Sequence, residues 1–254
     1  MLLVVDVGNT HTVLGLYDGD DLVHHFRIQS VKGRTEDEYV VLMTSLVQLA
    51  GVEPEEVDCS ILASVVPALT ESIVRTVARA FEHDMLVVGP GIKTGMPILY
   101  ENPREVGADR IVNSIAAYER VRGGVIVVDF GTATTFDCVS TRGEYVGGVI
   151  APGISLSADA LFARAARLPK TEIIKPPHAL GRNTVHAMQS GLVYGYVGLV
   201  DGMVERLRKE MGHPVTVLST GGEAALIQSE SSTIDHVDEH LTLNGLRILF
   251  YRQR

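Results

Sequence analysis

Two aspartates, Asp6 and Asp129, each end a run of apolar, β-branched residues and are followed two positions later by a glycine. A carboxylate at the end of a buried strand is costly unless a cation or a donor compensates it. The glycine permits a tight turn and lets backbone N–H groups approach an anion. Asparagine and threonine residues follow and add neutral donors. These residues predict two loops that hold a nucleotide polyphosphate and its metal, with carboxylates for the cation and amides and hydroxyls for the oxygens.

The two loops belong to an internal repeat. Residues 4–12 read VVDVGNTHT, and residues 127–135 read VVDFGTATT. Each copy runs into a second strand and, after a turn, a third, which predicts two β-meanders. One Asp-x-Gly could merely turn a hairpin. Because a turn does not require aspartate at the same strand position twice, the duplication favours phosphate binding. A Walker-type loop ending in Lys-Ser or Lys-Thr is absent from the sequence, which excludes the P-loop interpretation.

The rest of the chain alternates between strand and helix patterns, which predicts an α/β fold. The meanders open two similar lobes around a cleft, assigned to residues 1–116 and 117–254. Predicted helices cover 35–49, 69–81, 109–121, 154–166, 184–211 and 223–228, and further buried strands cover 60–65, 85–88 and 215–218. The helix from Asp109 to Val121 is expected to bridge the two halves.

Charge and composition restrict the partners. The formal net charge of −9 argues against nucleic acid, because phosphate backbones are held by clustered Lys and Arg. No secretory signal and no apolar run of membrane-spanning length is present in the sequence, so no membrane partner is expected. Cys59 and Cys138 lack metal-binding or redox spacing and are interpreted as buried thiols in a reducing, cytoplasmic location.

Asp109 is the candidate for acid–base chemistry. Transfer of a phosphoryl group to an alcohol is aided by a carboxylate that orients the hydroxyl and receives its proton. The small pair Gly107-Ala108 lets a substrate approach the backbone, and Arg110 suits a carboxylate through a two-pronged hydrogen bond. From spacing alone the simpler interpretation, in which Asp109 caps a helix, is favoured.

Taken together, these segments resemble the type III pantothenate kinases over nearly the whole chain, within the superfamily of actin, hexokinase, the Hsp70 chaperones and acetate kinase. The matching stretches are 6–10 (DVGNT), 34–35 (RT), 63–67 (ASVVP), 102–110 (NPREVGADR), 129–135 (DFGTATT), 147–153 (GGVIAPG), 181–184 (GRNT) and 220–222 (TGG). His11 stands where the family often has Asn or a small polar residue, and its imidazole can still donate. The resemblance implies lobes of the actin/ribonuclease-H type. It also favours Asp109 as the proton acceptor over Asp109 as a helix cap.

The resemblance further implies transfer of the ATP γ-phosphoryl group to pantothenate, which gives 4′-phosphopantothenate in the first step of coenzyme A biosynthesis. Asp109 aligns with the proton acceptor, and Asp129 aligns with the ligand of a monovalent cation, K⁺ or NH₄⁺. Asp6 would act with Mg²⁺ on the phosphates. A homodimer is implied, with the acceptor site near the interface and the helix from Thr184 as a candidate contact. The implied ATP contacts are Asp6, Val7, Gly8, Asn9, Thr10, His11, Thr12, Val13 and Thr132, and the implied substrate contacts are Tyr100, Gly107, Ala108, Asp109, Arg110 and Thr184.

Other interpretations stay open. The chain could be a superfamily kinase with another acceptor, a phosphate-ester hydrolase, or a non-enzymatic nucleotide-binding regulator. Residues 220–222 would lie beside the nucleoside of ATP, but a plain strand-to-helix turn explains them equally well. His236 and His240, four residues apart, could hold zinc if they lie on one helix, although the Glu that follows the first His in zincins is missing.

Overall fold

Two five-stranded sheets share one topology in the computed structural model, which describes residues 1–165 and 168–254. The first sheet has the order β3-β2-β1-β4-β5 and the second the order β8-β7-β6-β9-β10. The predicted repeat and the predicted α/β fold with two similar lobes are therefore confirmed. The strands are β1 Leu2–Val7, β2 His11–Asp18, β3 Asp21–Gln29, β4 Cys59–Ser64, β5 Leu86–Val87, β6 Val125–Phe130, β7 Ala133–Val139, β8 Tyr145–Pro152, β9 Thr216–Gly221 and β10 His236–Val237.

The central strand of each sheet carries the aspartate. β1 runs antiparallel to β2 and parallel to β4, so Asp6 lies opposite Val13 and Ala63. In the second sheet β6 runs antiparallel to β7 and parallel to β9, so Asp129 lies opposite Thr135 and Thr220. Apart from the aspartate, every residue of β1 and β6 is apolar and buried, as is typical of strands covered on both faces.

Seven α-helices are present in the described part of the chain: α1 Glu36–Leu49, α2 Pro67–Phe81, α3 Ala108–Val121, α4 Ile154–Arg164, α5 Thr184–Met211, α6 Ala224–Gln228 and α7 Leu241–Arg252. Six of them agree closely with the predicted helices, whereas α7 was missed. The last residue of the predicted helix 154–166 lies outside the described residues. β5 is shorter than the predicted strand 85–88.

Each sheet has its own apolar core. In the first, Leu3, Val5 and Val7 of β1 pack with residues of α1 and α2 such as Tyr39 and Ile73. In the second, Ile126 and Val128 of β6 pack with residues of α4 and α5, among them Ala158, Leu192, Tyr196 and Val200. Alternate residues of one strand face one layer, so Asp6 and Asp129 are not members of these two clusters.

The chain forms two compact units. Unit 1 contains Met1–Gly95, Asn102–Ala116 and Thr242–Arg254, and unit 2 contains Met96–Glu101 and Ala117–Leu241. The predicted lobes, 1–116 and 117–254, stay a prediction, and the units differ from them in placing α7 with unit 1 and residues 96–101 with unit 2. In unit 1, Gly245 of α7 lies so close to α3 that an added Cβ would meet the carbonyl oxygen of Val112 at 2.3 Å.

No helix among the described residues is both long enough and apolar enough to cross a lipid bilayer.

Candidate active site

The turn between β1 and β2 forms the first hairpin. The N–H of Gly8 donates to the carbonyl of His11 over 2.9 Å, which closes the turn. Asn9, Thr10 and His11 are exposed at the tip, and Asp6 is half-buried below it. A Cβ on Gly8 would meet the carbonyl oxygen of His11 at 3.1 Å, so the tightness of this turn favours glycine. The hairpin thus exposes polar side chains next to a carboxylate.

A residue that the sequence analysis missed holds this hairpin in place. The Ser30 N–H donates to the carbonyl of Thr10 over 3.0 Å, and the Ser30 hydroxyl donates to the carbonyl of Gly8 over 2.7 Å. Because the hydroxyl of Ser30 has one proton, the buried Thr12 hydroxyl, 2.9 Å away, donates to Ser30 Oγ. Ser30 therefore fixes two carbonyls of the turn. Nothing in the local sequence marks Ser30, because its role depends on the pairing of β3 with β2.

The turn between β6 and β7 forms the second hairpin, and two other loops pack against its backbone. The Gly131 N–H donates to Ala133 O, the Gly153 N–H to Thr132 O, and the Gly222 N–H to Phe130 O, at 3.0, 3.1 and 3.1 Å. A Cβ on Gly153 would lie 2.4 Å from the carbonyl oxygens of Gly131 and Thr132. Backbone-to-backbone packing therefore fixes the hairpin and leaves the Thr132 side chain exposed.

The surroundings of Asp129 fit a cation. Its carboxylate is half-buried at the end of β6, beside Thr135 on β7 and the nearly fully buried Thr220 on β9. Carboxylate and hydroxyl oxygens are the ligand type that hard cations prefer. The residues present therefore match the predicted monovalent cation in chemistry.

Asp109 lies in the first turn of α3 and is half-buried. Burial raises the pKa of its carboxyl, although the backbone N–H of Arg110, which donates to Asp109 Oδ1 over 2.8 Å, and the charge of Arg110 partly oppose that rise. A Cβ on Gly107 would lie 2.5 Å from the same oxygen, so glycine leaves room for this carboxylate. A carboxyl with a raised pKa is suited to accept a proton.

The remaining predicted substrate contacts lie in both units. Ala108 begins α3, and Arg110 is buried in its first turn. Tyr100 is half-buried in unit 2, where its ring lies 6.3 Å from that of Tyr145. Thr184 is the exposed first residue of α5, which Asn183 caps by accepting from the His186 N–H over 2.8 Å.

The predicted site residues divide between the units. Asp6 to Val13 and Gly107 to Arg110 belong to unit 1, whereas Tyr100, Asp129, Thr132 and Thr184 belong to unit 2. Their roles stay predictions.

The zinc alternative has no support in the geometry. His236 lies in β10 and His240 in the turn before α7, so the two do not share the helix that the alternative requires. Within the described residues there is no group of three or more His, Cys, Asp or Glu side chains that could hold a metal ion.

Two repeated sheets, each with an aspartate near the end of its central strand and a hairpin after it, define a chain with the hexokinase-like fold, and solved structures share it. A conserved putative Baf family transcriptional activator from Campylobacter jejuni is similar with a TM-score of 0.62 at 18% identity, over 99% of this chain and 98% of that chain. A ROK hexokinase from Thermus thermophilus is similar with a TM-score of 0.54 at 16% identity, over 99% of this chain and 98% of that chain.

At the sequence level the match is much closer. The family model for type III pantothenate kinase matches residues 2–206. A type III pantothenate kinase from Anaeromyxobacter sp. (strain Fw109-5) is 58% identical over 254 residues, which cover 100% of both chains. The chain belongs to the type III pantothenate kinase family, and the resemblance found in its motifs is confirmed.

Proposed function

We propose that the chain transfers the γ-phosphoryl group of ATP to the primary hydroxyl of pantothenate, in the first step of coenzyme A biosynthesis. Membership of the type III pantothenate kinase family carries this proposal, since the identity extends over the full length. The family match confirms the predicted enzyme class, a kinase that uses ATP. The two hairpins, each with an aspartate and exposed donors, support phosphate binding.

Each candidate residue has a proposed role. The hairpin from Asp6 to Val13, together with Thr132, would hold the phosphates of ATP through backbone N–H groups and hydroxyls. Asp109 would accept the proton of the pantothenate hydroxyl, and Arg110 would bind the pantothenate carboxylate. Tyr100 and Thr184 would complete the acceptor site. Mg²⁺, near Asp6, would neutralise phosphate charge.

Assay of the purified protein with MgATP and pantothenate, in potassium and in sodium buffer, tests the proposal. ADP release that requires pantothenate and is faster in potassium is the expected result. Turnover with another alcohol but not with pantothenate would instead identify a kinase with a different acceptor. Nucleotide binding without turnover in potassium would favour the regulator.

Asp129 is proposed to bind the monovalent cation. Changing Asp129→Ala removes the carboxylate, so the ratio of the rates in potassium and sodium is expected to fall towards one. The exposed Asp20, which pairs with Arg247 in unit 1, offers the control variant Asp20→Ala, whose ratio should match the parent. A full potassium response in Asp129→Ala would show that the cation binds elsewhere.

We further propose a homodimer that forms through α5. Gly191, Gly195 and Gly198 are exposed on this helix, and an added Cβ would meet nothing within 4 Å at any of them. Glycine in a helix interior costs about 1 kcal/mol relative to alanine. Packing within the chain does not account for that cost, whereas close approach of a second helix would.

Substituting Gly195→Leu is expected to favour the monomer. The larger side chain would separate two helices that approach at glycine, while a lone helix would accept it. The molecular mass measured by sedimentation should then fall from that of two chains to that of one chain, 27.5 kDa. Gly33→Leu, at an exposed loop glycine with nothing within 4 Å, is the control and should stay dimeric. An unchanged dimer in Gly195→Leu would exclude α5 from the interface.

A cytoplasmic location is proposed as well. Neither Cys59 nor Cys138 forms a disulfide in the described part of the chain, which suits a reducing compartment. Cys138 is buried as expected, whereas Cys59 is only half-buried.

A further inference from the structure

A buried carboxylate in unit 2 has no role in the proposed reaction. Asp137 lies in the middle of β7 and is fully buried, with Val127 of β6 and Gly148 of β8 on either side. A buried carboxylate is expensive unless it accepts hydrogen bonds. Asp137 Oδ1 accepts from the Tyr145 hydroxyl over 2.8 Å, and Oδ2 accepts weakly from Thr135 Oγ1 over 3.4 Å. The short bond to Tyr145 is therefore the strong one of these two.

Tyr145, the partner of Asp137, begins the edge strand β8 and is also fully buried. The ladder between β7 and β8 has a register shift at Cys138/Val139, so Tyr145 pairs with Val139 and Gly147 pairs with Cys138. A bulge disrupts the ladder locally. The hydrogen bond from the Tyr145 hydroxyl to Asp137 therefore attaches the first residue of β8 to β7 a second time, in addition to the backbone pairing.

The backbone of Tyr145 holds the segment Met96–Glu101 on the outer side of β8. The Tyr145 N–H donates to the carbonyl of Pro97 over 2.9 Å, and its carbonyl accepts from the N–H of Leu99 over 2.8 Å. Ile98 forms a parallel bridge with Tyr145. The same segment carries Tyr100, whose ring packs against that of Tyr145 at 6.3 Å with an interplanar angle of 55°.

We propose that Asp137 and Tyr145 are positioning residues for the acceptor. The chain of contacts runs from the Asp137 carboxylate to the Tyr145 hydroxyl, and from the backbone and ring of Tyr145 to Tyr100. A loss of the first bond would loosen the segment 96–101 and displace Tyr100. The inference rests on the proposed function, in which Tyr100 contacts pantothenate.

The test compares variants that break or keep this bond. Tyr145→Phe and Asp137→Ala are expected to raise the KM for pantothenate about tenfold, with the KM for ATP within twofold of the parent. Asp137→Asn keeps an oxygen that accepts from Tyr145 and should largely restore the pantothenate KM. Tyr17→Phe is the matched control, because Tyr17 is also fully buried and donates to Asn244 Oδ1 over 2.8 Å in unit 1. This control should lose stability without a change in either KM.

Hydrogen exchange of the Leu99 amide gives a readout that does not depend on the substrate. Exchange at Leu99 should be at least about tenfold faster in Tyr145→Phe than in the parent, and unchanged in Tyr17→Phe. An unchanged exchange rate at Leu99 would show that the bond between Asp137 and Tyr145 does not hold the segment 96–101. Faster exchange with an unaltered KM for pantothenate would show that the bond holds the segment but does not position the acceptor. If the parent itself does not phosphorylate pantothenate, the proposed function is wrong. The exchange data would still show whether the bond between Asp137 and Tyr145 holds the segment 96–101.

Discussion

Asp109→Asn is expected to lower kcat by about 10²- to 10⁴-fold while MgATP binding stays intact. The amide cannot receive the hydroxyl proton, but it occupies the same space beside Gly107. Burial raises the pKa of the Asp109 carboxyl, so the parent needs a higher pH than an ordinary carboxyl does before this group is ionised. The pKa that governs the acid limb of kcat/KM should therefore lie above 3.8, the ordinary pKa of an aspartate. Steady-state kinetics across pH measure both effects.

The same substitution should stabilise the fold. A carboxyl whose pKa is raised on folding stabilises the folded state below its unfolded pKa, and this contribution is lost as the pH rises through the folded pKa. Asp109→Asn should thus have the larger free energy of unfolding at neutral pH, and the gain should vanish in acid.

Asp201→Asn provides the matched control for this effect. Although burial alone would raise the pKa of Asp201, hydrogen bonds from Ser231, Ser232 and Thr233 lower it overall. This control should therefore lose stability at neutral pH and keep its kcat. A kcat in Asp109→Asn close to the parent value would refute the role of Asp109 as proton acceptor.

Gly153→Ala is expected to damage the second hairpin. Its Cβ would lie 2.4 Å from two backbone oxygens of that hairpin, and backbone cannot rotate away as a side chain can. We expect a loss of about 1–3 kcal/mol in the free energy of unfolding, the usual range for overpacking. Displacement of Thr132 should also weaken binding of a non-hydrolysable MgATP analogue by about tenfold, equivalent to about 1.4 kcal/mol. Denaturant unfolding and calorimetric titration measure the two quantities.

Gly222→Ala is the control at a neighbouring loop. The N–H of Gly222 donates to the same hairpin, at Phe130 O, but an added Cβ there meets nothing within 4 Å. Its stability should stay within about 0.5 kcal/mol of the parent. Stability and affinity in Gly153→Ala that match those of the parent would show that the second hairpin tolerates a Cβ at this position.

The sequence predicted the parts of the fold that local chemistry determines. The repeat was visible because both hairpins need the same residues in the same order. α5 has the bounds that were predicted, since Asn183 caps its start and Gly212, with φ +68°, ends it. α1 begins one residue after the predicted start at Thr35, and there Thr35 and Glu38 form a capping box.

Two of the missed features, the contacts of Ser30 and Gly153, depend on the pairing of strands. Ser30 contacts the first hairpin because β3 pairs with β2, and no local pattern indicates that contact. The proximity of Gly153 to the second hairpin likewise follows from the position of β8 in the sheet. α7 was not predicted, because a polar stretch at residues 236–240 precedes its apolar residues. Its buried residues Leu246 and Leu249, three positions apart, were the available helical signal.

The most direct test of the account is the chemical identity of the phosphorylated product. Phosphorus NMR of a reaction with MgATP and pantothenate in potassium should show one new phosphomonoester, coupled to methylene protons, in equal amount to ADP. Inorganic phosphate in place of the phosphomonoester, in equal amount to ADP, would instead indicate hydrolysis and contradict the assignment of this chain as a pantothenate kinase.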